Sequence, residues 1–368
     1  MDTLFKSKAK CIGILTGGGD CPGLNAVIRA VVKTASQNGT KVIGVRDGFL
    51  GLVEKSMTPL GMEDVSNILT LGGTILGSSN KDNPFHLLEK DKAGHIHYHD
   101  RSKEVPRTLR NMGIQALIVL GGDGSMTVAH KFAKMGIKIV GVPKTIDNDL
   151  MGTDQTFGYD TAVTVATEAI DRLHTVAASH HRVMIVEVMG RYAGWLALGS
   201  GIAGGGDIIL IPEIPYDERK VAEAIMGRRK KGKKSSIIVI AEGAHPKGGK
   251  MVVDRVNPLS MERIRLGGIS RQLAHHLEAK SGIETRSVIL GHVVRGGTPT
   301  AYDRNLATLF GVHAMDLVHR GQFGRMVALR NNQMSSVSLT QVGGKCRKVP
   351  LNHPMILAAK RIGVSFGV

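Results

Sequence analysis

The chain has 368 residues, more than a single core of ordinary size can hold, which predicts two domains. Its formal net charge is +17, but only 4% of its residues are aromatic; this excludes nucleic acid as the favoured partner and points to small polyanions. The 3 cysteines form no Cys-x-x-Cys pair, no apolar run is long enough for a membrane span and the first residues lack a signal-peptide core, so we expect a cytoplasmic protein that binds no membrane.

Short apolar runs, each followed by a glycine-rich or polar turn, recur along the chain. The predicted strands are residues 11–15, 41–45, 116–120, 137–142, 182–188, 207–211, 236–241 and 286–290. The predicted helices are residues 24–37, 125–135, 160–177, 191–203, 217–230 and 259–280. Continuous apolar strands that alternate with helices favour an α/β fold with parallel sheet covered on both faces. Ligands of such folds bind beyond the C-terminal ends of the strands, where the glycines and charged residues of this sequence are concentrated.

The strand predicted at residues 116–120 ends in the turn GGDGS at residues 121–125, before a predicted helix. Its glycines let backbone N–H groups approach phosphates, and the helix N-terminus favours negative charge. Asp123 suits a Mg²⁺ ion that bridges phosphate oxygens. The turn alone also fits phosphoryl-transfer enzymes of the NAD-kinase and diacylglycerol-kinase type, and a purely structural turn is the weaker alternative.

A second strand ends in PKTIDND, residues 143–149. This segment places Asp147 and Asp149 two residues apart, beside Lys144 and Thr145. One carboxylate can take the proton of an acceptor alcohol while the other helps to hold the metal. Together with the GGDGS turn, this segment is the most specific chemical signal in the sequence.

Two conspicuous features have ordinary explanations. His95, His97 and His99 share one face of a short predicted strand and could ligate a metal, but a solvated hairpin is the favoured interpretation. The basic run at residues 228–234 ends a predicted helix, where cations complement the helix dipole. A phosphate-binding role for that run is the minor alternative.

Taken in order, these motifs resemble those of the phosphofructokinase A family over roughly residues 11–330. The further matching segments are TGGGDCPGLN (16–25), GGTILGS (72–78), SHHR (179–182), MGR (189–191), Glu242, ETR (284–286), GHVVRGG (291–297) and YDR (302–304). Each segment alone could be a turn or a salt bridge. Their common order makes coincidence a poor explanation.

The resemblance implies an α/β fold with two doubly wound parallel-sheet domains. Residues 10–155 would form the donor-binding domain, with part of about 300–345 returning to it, and residues 156–300 would bind the sugar phosphate. The implied activity is transfer of the γ-phosphoryl group of ATP to the 1-hydroxyl of fructose 6-phosphate, a step of glycolysis, with Mg²⁺ as cofactor. Pyrophosphate is the alternative donor.

The resemblance also implies residue roles. The implied catalytic residues are Asp147, Thr145, Arg191 and Asp149. Asp147 would be the general base, and Asp123, helped by Asp149, would hold the metal. The residues implied at the donor are Gly18, Asn80, Lys81, Gly122, Asp123, Gly124 and Ser125. The residues implied at the sugar phosphate are Thr145, Ile146, Asp147, Arg182, Met189, Gly190, Arg191, Glu242, Arg286, His292 and Arg295.

The family counterparts of Arg182 and Arg286 reach in from a neighbouring subunit, which implies a homodimer or homotetramer. In allosteric bacterial members an arginine occupies the position of His174, so the resemblance gives little support for effector control. We therefore expect an oligomer whose sites are shared between subunits, and the sequence leaves open whether an effector site works.

Two positions bear on the identity of the donor. Pyrophosphate-dependent relatives usually carry aspartate at the position of Gly124 and lysine at that of Lys144, and this chain has only the second. A carboxylate at position 124 would crowd and repel the α-phosphate of a nucleotide, so glycine favours ATP. Many ATP-using relatives carry an arginine after the GGTILGS loop, where this chain has Asn80 and Lys81. That role has either moved to Lys81 or been lost.

Overall fold

The computed structural model describes residues 9–90, 95–256 and 264–368. The strands in these ranges are β1 (Cys11–Thr16), β2 (Lys41–Val45), β3 (Met57–Leu60), β4 (Leu87–Lys90), β5 (Ile96–His99), β6 (Ala116–Gly121), β7 (Ile139–Pro143), β8 (Val183–Val188), β9 (Ile208–Leu210), β10 (Ser236–Ala241), β11 (Val253–Val256), β12 (Ile264–Leu266), β13 (Thr285–Ile289), β14 (Arg325–Arg330) and β15 (Gln333–Ser338). The α-helices are α1 (Leu24–Gln37), α2 (Leu50–Glu54), α3 (Glu104–Asn111), α4 (Asp123–Lys134), α5 (Tyr159–His180), α6 (Trp195–Ala203), α7 (Glu218–Lys230), α8 (Ile269–Ser281), α9 (Ala301–His319) and α10 (Pro354–Arg361). Short 3₁₀ turns occur at Gly291–Arg295 and Leu339–Gln341.

The larger sheet has seven strands in the order β15-β14-β7-β6-β1-β2-β3. Its five inner strands run parallel, whereas β3 and β15 at the two edges are antiparallel to their neighbours. The pairing of β14 with β7 brings a late part of the chain into the sheet begun by β1, with Arg325 opposite Val140.

The smaller sheet has four parallel strands in the order β13-β8-β10-β9. Its strands are joined through α6, α7 and α8, as expected for parallel strands that need crossover connections. The predicted α/β architecture with two parallel sheets is therefore confirmed. The antiparallel edges of the larger sheet are an addition to it.

The central strands bury side chains on both faces. In β6, Ile118 and Leu120 belong to an apolar cluster shared with α1, α5 and α9. Leu117 and Val119 point the other way, into a cluster shared with α3 and α4. The same alternation in β10 explains why these strands appear in the sequence as unbroken apolar runs.

Two predicted helices begin later than the sequence suggested. The helix predicted over 191–203 starts at Trp195, since residues 191–194 form a loop. The helix predicted over 259–280 was wrong at residues 264–266, which form β12; α8 starts only at Ile269, after Gly267 and Gly268 with φ of 150° and 85°. Backbone with positive φ is incompatible with a right-handed helix, and glycine adopts it without strain. Residues 259–263 of this predicted helix lie outside the described ranges.

The histidine-rich segment forms the hairpin that the sequence favoured. Strands β4 and β5 pair antiparallel, and His95, His97 and His99 are exposed. The neighbouring ring centroids lie 6.5 and 6.3 Å apart. Across the described ranges, no three His, Cys, Asp or Glu side chains are grouped so that they could hold a metal. No helix described is both long and apolar enough to span a bilayer.

Candidate active site

The loop that follows β1 is bonded to the loop at residues 72–79. Thr16 Oγ1 donates to the Gly77 carbonyl at 2.6 Å, and Ser78 Oγ donates to the Gly18 carbonyl at 2.5 Å. Gly18 has a φ of 80°, and a Cβ atom there would lie 3.4 Å from Lys144 Nζ. The predicted donor residue Gly18 therefore adjoins the second motif.

Asn80 and Lys81 follow the 72–79 loop directly, and both are exposed. The turn is fixed by Ser79, whose hydroxyl accepts from the Lys81 N–H at 3.2 Å and bonds to Asp82. Asn80 and Lys81 therefore lie at the end of the loop that is hydrogen-bonded to the glycine-rich loop after β1, residues 17–20.

Ser125 leaves little room for a side chain at either Gly17 or Gly121. A Cβ atom on Gly121 would come 2.2 Å from the Cβ of Ser125, and one on Gly17 would come 2.7 Å from Ser125 Oγ. At Gly124, by contrast, a Cβ would meet no described atom within 4 Å. Gly124 is the second residue of α4, so this helix N-terminus presents its backbone to open space.

Lys144 is buried and links the two motifs. Its Nζ donates to the Gly19 carbonyl, and its backbone N–H donates to the Gly121 carbonyl at 3.0 Å. Burial lowers the pKa of the Lys144 ammonium group. Lys144 therefore holds the first glycine loop in place, in addition to supplying positive charge there.

Acidic side chains converge at the second motif. Burial raises the pKa of Asp149 to about 7, and the nearby carboxylates of Asp147 and, more weakly, Asp123 add to that rise. Burial also raises the pKa of Glu242 to about 7, again with a contribution from Asp147. Thr145 Oγ1 accepts a bond of 3.1 Å from the Asp147 N–H and steadies the turn.

This acidic set fits a Mg²⁺ ion that is shared with a ligand. The described residues contain no group of three or more potential metal-binding side chains. Mg²⁺ usually takes only one or two protein carboxylates and completes its shell with water and phosphate oxygens. Asp123 is the first residue of α4, and the pKa of Asp149 is raised by burial. These two carboxylates can supply the protein ligands.

The strands β8 and β10 bring the predicted sugar-binding residues together. The Glu242 N–H donates to the Val188 carbonyl at 2.9 Å, and the Gly243 N–H donates to the Gly190 carbonyl at 3.1 Å. A Cβ on Gly243 would lie only 1.9 Å from the Arg191 carbonyl oxygen. Arg191 lowers the pKa of Glu242 against the dominant effect of burial, so its charge acts on the same pocket.

Two further predicted residues have supporting positions. Ile146, within PKTIDND, is fully buried, and Met189 is partly buried against the main apolar cluster. Both therefore shape the floor of the site by packing.

The 3₁₀ turn Gly291–Arg295 packs against the N-terminal loop. Arg295 Nη1 donates to the Asp20 carbonyl at 3.1 Å. A Cβ on Gly72 would come 2.4 Å from the Gly297 carbonyl oxygen. His292 is exposed in the same turn, so the predicted phosphate-binding residues His292 and Arg295 adjoin the first glycine loop.

Arg182 and Arg286 lie elsewhere. Arg182 Nε and Arg286 Nη2 each bond to Glu284, at 2.6 Å in both cases. Arg182 precedes β8, whereas Met189 follows it, which separates the two by roughly 23 Å at about 3.3 Å per residue. Within one chain, the structure does not bring these two arginines to the other predicted sugar-phosphate residues.

The model of the family described as Phosphofructokinase matches residues 11–318. This chain belongs to the phosphofructokinase family. The resemblance predicted from the motifs is thereby confirmed.

Relatives of this phosphofructokinase include enzymes named for either donor. ATP-dependent 6-phosphofructokinase 2 of Clostridium perfringens (strain 13 / Type A) is 52% identical over 97% of this chain and 98% of that protein. Pyrophosphate--fructose 6-phosphate 1-phosphotransferase of Amycolatopsis methanolica is 49% identical over 92% of this chain and 96% of that protein. The crystal structure of Pichia pastoris phosphofructokinase in the T-state aligns at a TM-score of 0.77 and 33% identity, covering 90% of this chain; this chain spans 35% of that longer one.

Sequence reasoning missed the buried acid Glu187 and gave no role to the buried acid Asp303, which lies in the matching YDR segment. Glu187 accepts bonds from the N–H groups of Gly268 and Ser270, both at 3.0 Å, and so holds the start of α8. Asp303 accepts from the N–H and hydroxyl of Thr161 at 2.8 and 2.6 Å. The signal available for each was a charged residue within an otherwise apolar strand or helix face.

It also missed the C-terminal segment at residues 344–349, called here the strap. The Gly344 N–H donates to Asp123 Oδ1 at 2.6 Å, and the Val349 N–H donates to Glu213 Oε1 at 2.8 Å. Glu213 follows β9 of the smaller sheet, whereas Asp123 follows β6 of the larger one. The strap therefore ties loops of both sheets together beside the acidic cluster.

Proposed function

We propose that this chain is an ATP-dependent 6-phosphofructokinase, which transfers the γ-phosphoryl group of ATP to the 1-hydroxyl of fructose 6-phosphate. The observation that carries the proposal is the meeting of the α4 N-terminus with the acidic loop of Asp147 and Asp149 at one edge of the sheet. Relatives named as ATP-dependent enzymes, almost as long as this chain, support the same reaction.

The two ligands would divide between the sheets. Residues 10–155, joined by part of about 300–345, would bind the donor, and residues 156–300 would bind the sugar phosphate. The placement of β14 and β15 in the larger sheet and of Glu242 at the edge of the smaller one supports this division.

Asp147 would act as the general base. Its carboxylate would take the proton of the 1-hydroxyl while that oxygen bonds to the γ-phosphorus and the bond to the β,γ-bridging oxygen breaks. Thr145 and Arg191 would steady the charge on the transferring group, whose loose transition state needs neutralisation more than covalent help. The Arg191 charge already acts on Glu242, which supports its place between sugar and phosphoryl group.

Asp123, with Asp149, would hold Mg²⁺. When bound there, the ion neutralises charge on the phosphate oxygens of the donor. Burial raises the pKa of Asp149, and repulsion by Asp147 and, more weakly, by Asp123 adds to that rise. A cation bound there would relieve this repulsion, which supports the assignment.

Glycine at position 124 supports ATP as the donor, because the space beside it is open and carries no carboxylate. Pyrophosphate is the second candidate, favoured by Lys144 and by the pyrophosphate-dependent relative. Turnover of fructose 6-phosphate with ATP and with pyrophosphate, side by side and each with Mg²⁺, tests the proposal. We expect turnover with ATP; turnover with pyrophosphate alone would overturn the donor assignment.

The 6-phosphate would be bound by groups from two chains. His292 and Arg295 would come from the chain that carries Asp147, and Arg182 and Arg286 from a neighbouring copy in a homodimer or homotetramer. The distance between the two ends of β8 supports this arrangement, since one chain cannot bring all four residues to one phosphate.

A further inference from the structure

Within the strap, Arg347 contacts the backbone that carries the two catalytic carboxylates. Its Nη2 and Nε donate to the Asn148 carbonyl at 2.7 and 3.2 Å. Its own N–H donates to the Asp149 carbonyl at 2.7 Å. Three hydrogen bonds from one residue therefore fix the two peptide groups that flank Asp149, and the first of these begins at Asn148, the residue next to Asp147.

The Arg347 guanidinium is itself held on its other side. It stacks over the Trp195 ring at 4.5 Å, and Trp195 Nε1 donates to the Arg347 carbonyl at 2.8 Å. The ring of His353 meets Trp195 edge-on at 5.0 Å. A planar guanidinium fixed by stacking and by a forked pair of bonds is a rigid support, which a flexible lysine cannot reproduce.

The loop it supports needs such support. Asn148 has a positive φ of 50°, a conformation that costs free energy in a residue other than glycine. Its side chain accepts from the Thr156 N–H at 3.0 Å, and Thr156 Oγ1 donates to the Thr145 carbonyl at 2.7 Å. Thr156 therefore holds the Asn148 side chain and the Thr145 carbonyl, whereas Arg347 holds the Asn148 carbonyl.

We infer that Arg347 is a positioning residue for phosphoryl transfer: by fixing the Asn148 carbonyl, it aims the carboxylates of Asp147 and Asp149. The inference rests on the function proposed above. Arg347 has no contact with the reacting atoms in this role; its effect is on geometry, where a displacement near 1 Å can cost about 100-fold in rate.

Arg347→Met and Arg347→Lys test the role. We expect kcat of Arg347→Met to fall about 30- to 100-fold while KM for fructose 6-phosphate stays within about threefold, because orientation is lost and binding is kept. Arg347→Lys keeps the positive charge and can keep one hydrogen bond, so its kcat should lie between that of Arg347→Met and that of the wild type.

Arg325→Met is the matched control. The Arg325 guanidinium also makes two bonds to a single residue, to Ser336 Oγ at 2.8 Å and to the Ser336 carbonyl at 2.7 Å, at the start of β14 and away from the acidic loop. The Arg325→Met variant should therefore be less stable than the wild type but have the same kcat. Circular dichroism gives the folded fraction of each variant, so that activity can be expressed per folded chain.

Chemical rescue separates positioning from general structural damage. A cavity of about 500 Å³ is lined by Arg347, Asn148 and Trp195, and truncation of the arginine would open onto it. In Arg347→Ala, free guanidinium ion at low millimolar concentration should restore part of kcat; in the wild type and in Arg325→Ala it should have no such effect.

Several outcomes would overturn the inference. They are a kcat of Arg347→Met within threefold of the wild type, a loss that only follows the unfolded fraction, and an absence of rescue. The wild type is measured first with both donors, and the variants are then assayed with whichever donor it uses. A wild type inactive with both would instead refute the proposed function, and the inference with it.

Discussion

The two ends of the smaller sheet differ sharply. At the C-terminal ends of its strands, Glu242 is largely buried and has a raised pKa beside the acidic loop. At the N-terminal ends, Arg182 and Arg286 share Glu284, and the Arg286 side chain is 54% exposed. The same strands thus carry a buried acidic pocket at one end and an accessible basic group at the other. The acidic pocket is therefore built from groups of one chain, whereas the exposed basic group is available to a second copy.

The largest effect is expected at the acidic end. Asp147→Ala should lower kcat by about 10³-fold or more, since the general base acts on the transition state. Fructose 6-phosphate should still bind, as measured by calorimetry. Asp254→Ala, which removes an exposed carboxylate on β11, is the control and should leave kcat unchanged. Near-normal turnover of Asp147→Ala would remove this residue from its assigned role.

Position 124 tests the neighbouring edge of the larger sheet. Gly124→Asp should depress turnover with ATP by about 100-fold, because a carboxylate placed against a nucleotide phosphate repels it. It should depress turnover with pyrophosphate much less. Gly227→Asp is a matched control, since Gly227 also lies in a helix with no described atom near its Cβ position. Equal losses with both donors would contradict the specificity role.

The basic end is tested by mixing inactive chains. Arg286→Ala should raise KM for fructose 6-phosphate by about 30-fold, the cost of a lost charged hydrogen bond. The mixing is done at a fructose 6-phosphate concentration near the wild-type KM, where this variant alone is almost inactive. If the arginine serves a neighbouring subunit, then in a dimer an equal mixture with Asp147→Ala should recover roughly one quarter of wild-type activity through hybrid sites, provided that subunits exchange. Arg255→Ala, an exposed arginine on β11, should lack any effect. An active protein that is monomeric at assay concentrations would break the comparison between the two ends.

The smallest effect is on stability. The pKa of Glu242 is about 7 in the folded chain against 4.5 ordinarily, so the folded state loses stability as pH rises from about 4.5 to 7. Glu242→Gln removes this penalty and should raise the free energy of unfolding by about 1.5 kcal/mol at pH 8 and much less at pH 5. The full difference between 4.5 and 7 would give about 3.4 kcal/mol, and it is discounted because water reaches part of the Glu242 side chain. Urea unfolding at the two pH values measures the difference. An equal gain in the free energy of unfolding at pH 5 and pH 8 would show that the pKa of Glu242 is not raised in the folded chain.

Local sequence was enough for the central strands and the two motifs. Runs such as residues 116–120 are apolar on both faces, and GGDGS and PKTIDND carry their chemistry in consecutive residues. The strap could not be predicted this way, because Gly344 reaches Asp123 through a backbone N–H, and the two residues are 221 positions apart. Likewise, nothing local shows that Lys144 bonds to the Gly19 carbonyl.

The entry of β14 and β15 into the larger sheet has a consequence for synthesis. While the ribosome is still making the chain, β7 is the last strand of its sheet on that side, and the backbone N–H and C=O groups along its edge have no partner until β14 emerges. An exposed edge of this kind pairs readily with other nascent chains. Folding of the N-terminal half therefore waits on the C-terminal half, and a chain stopped by premature termination before residue 325 leaves that edge open to aggregation.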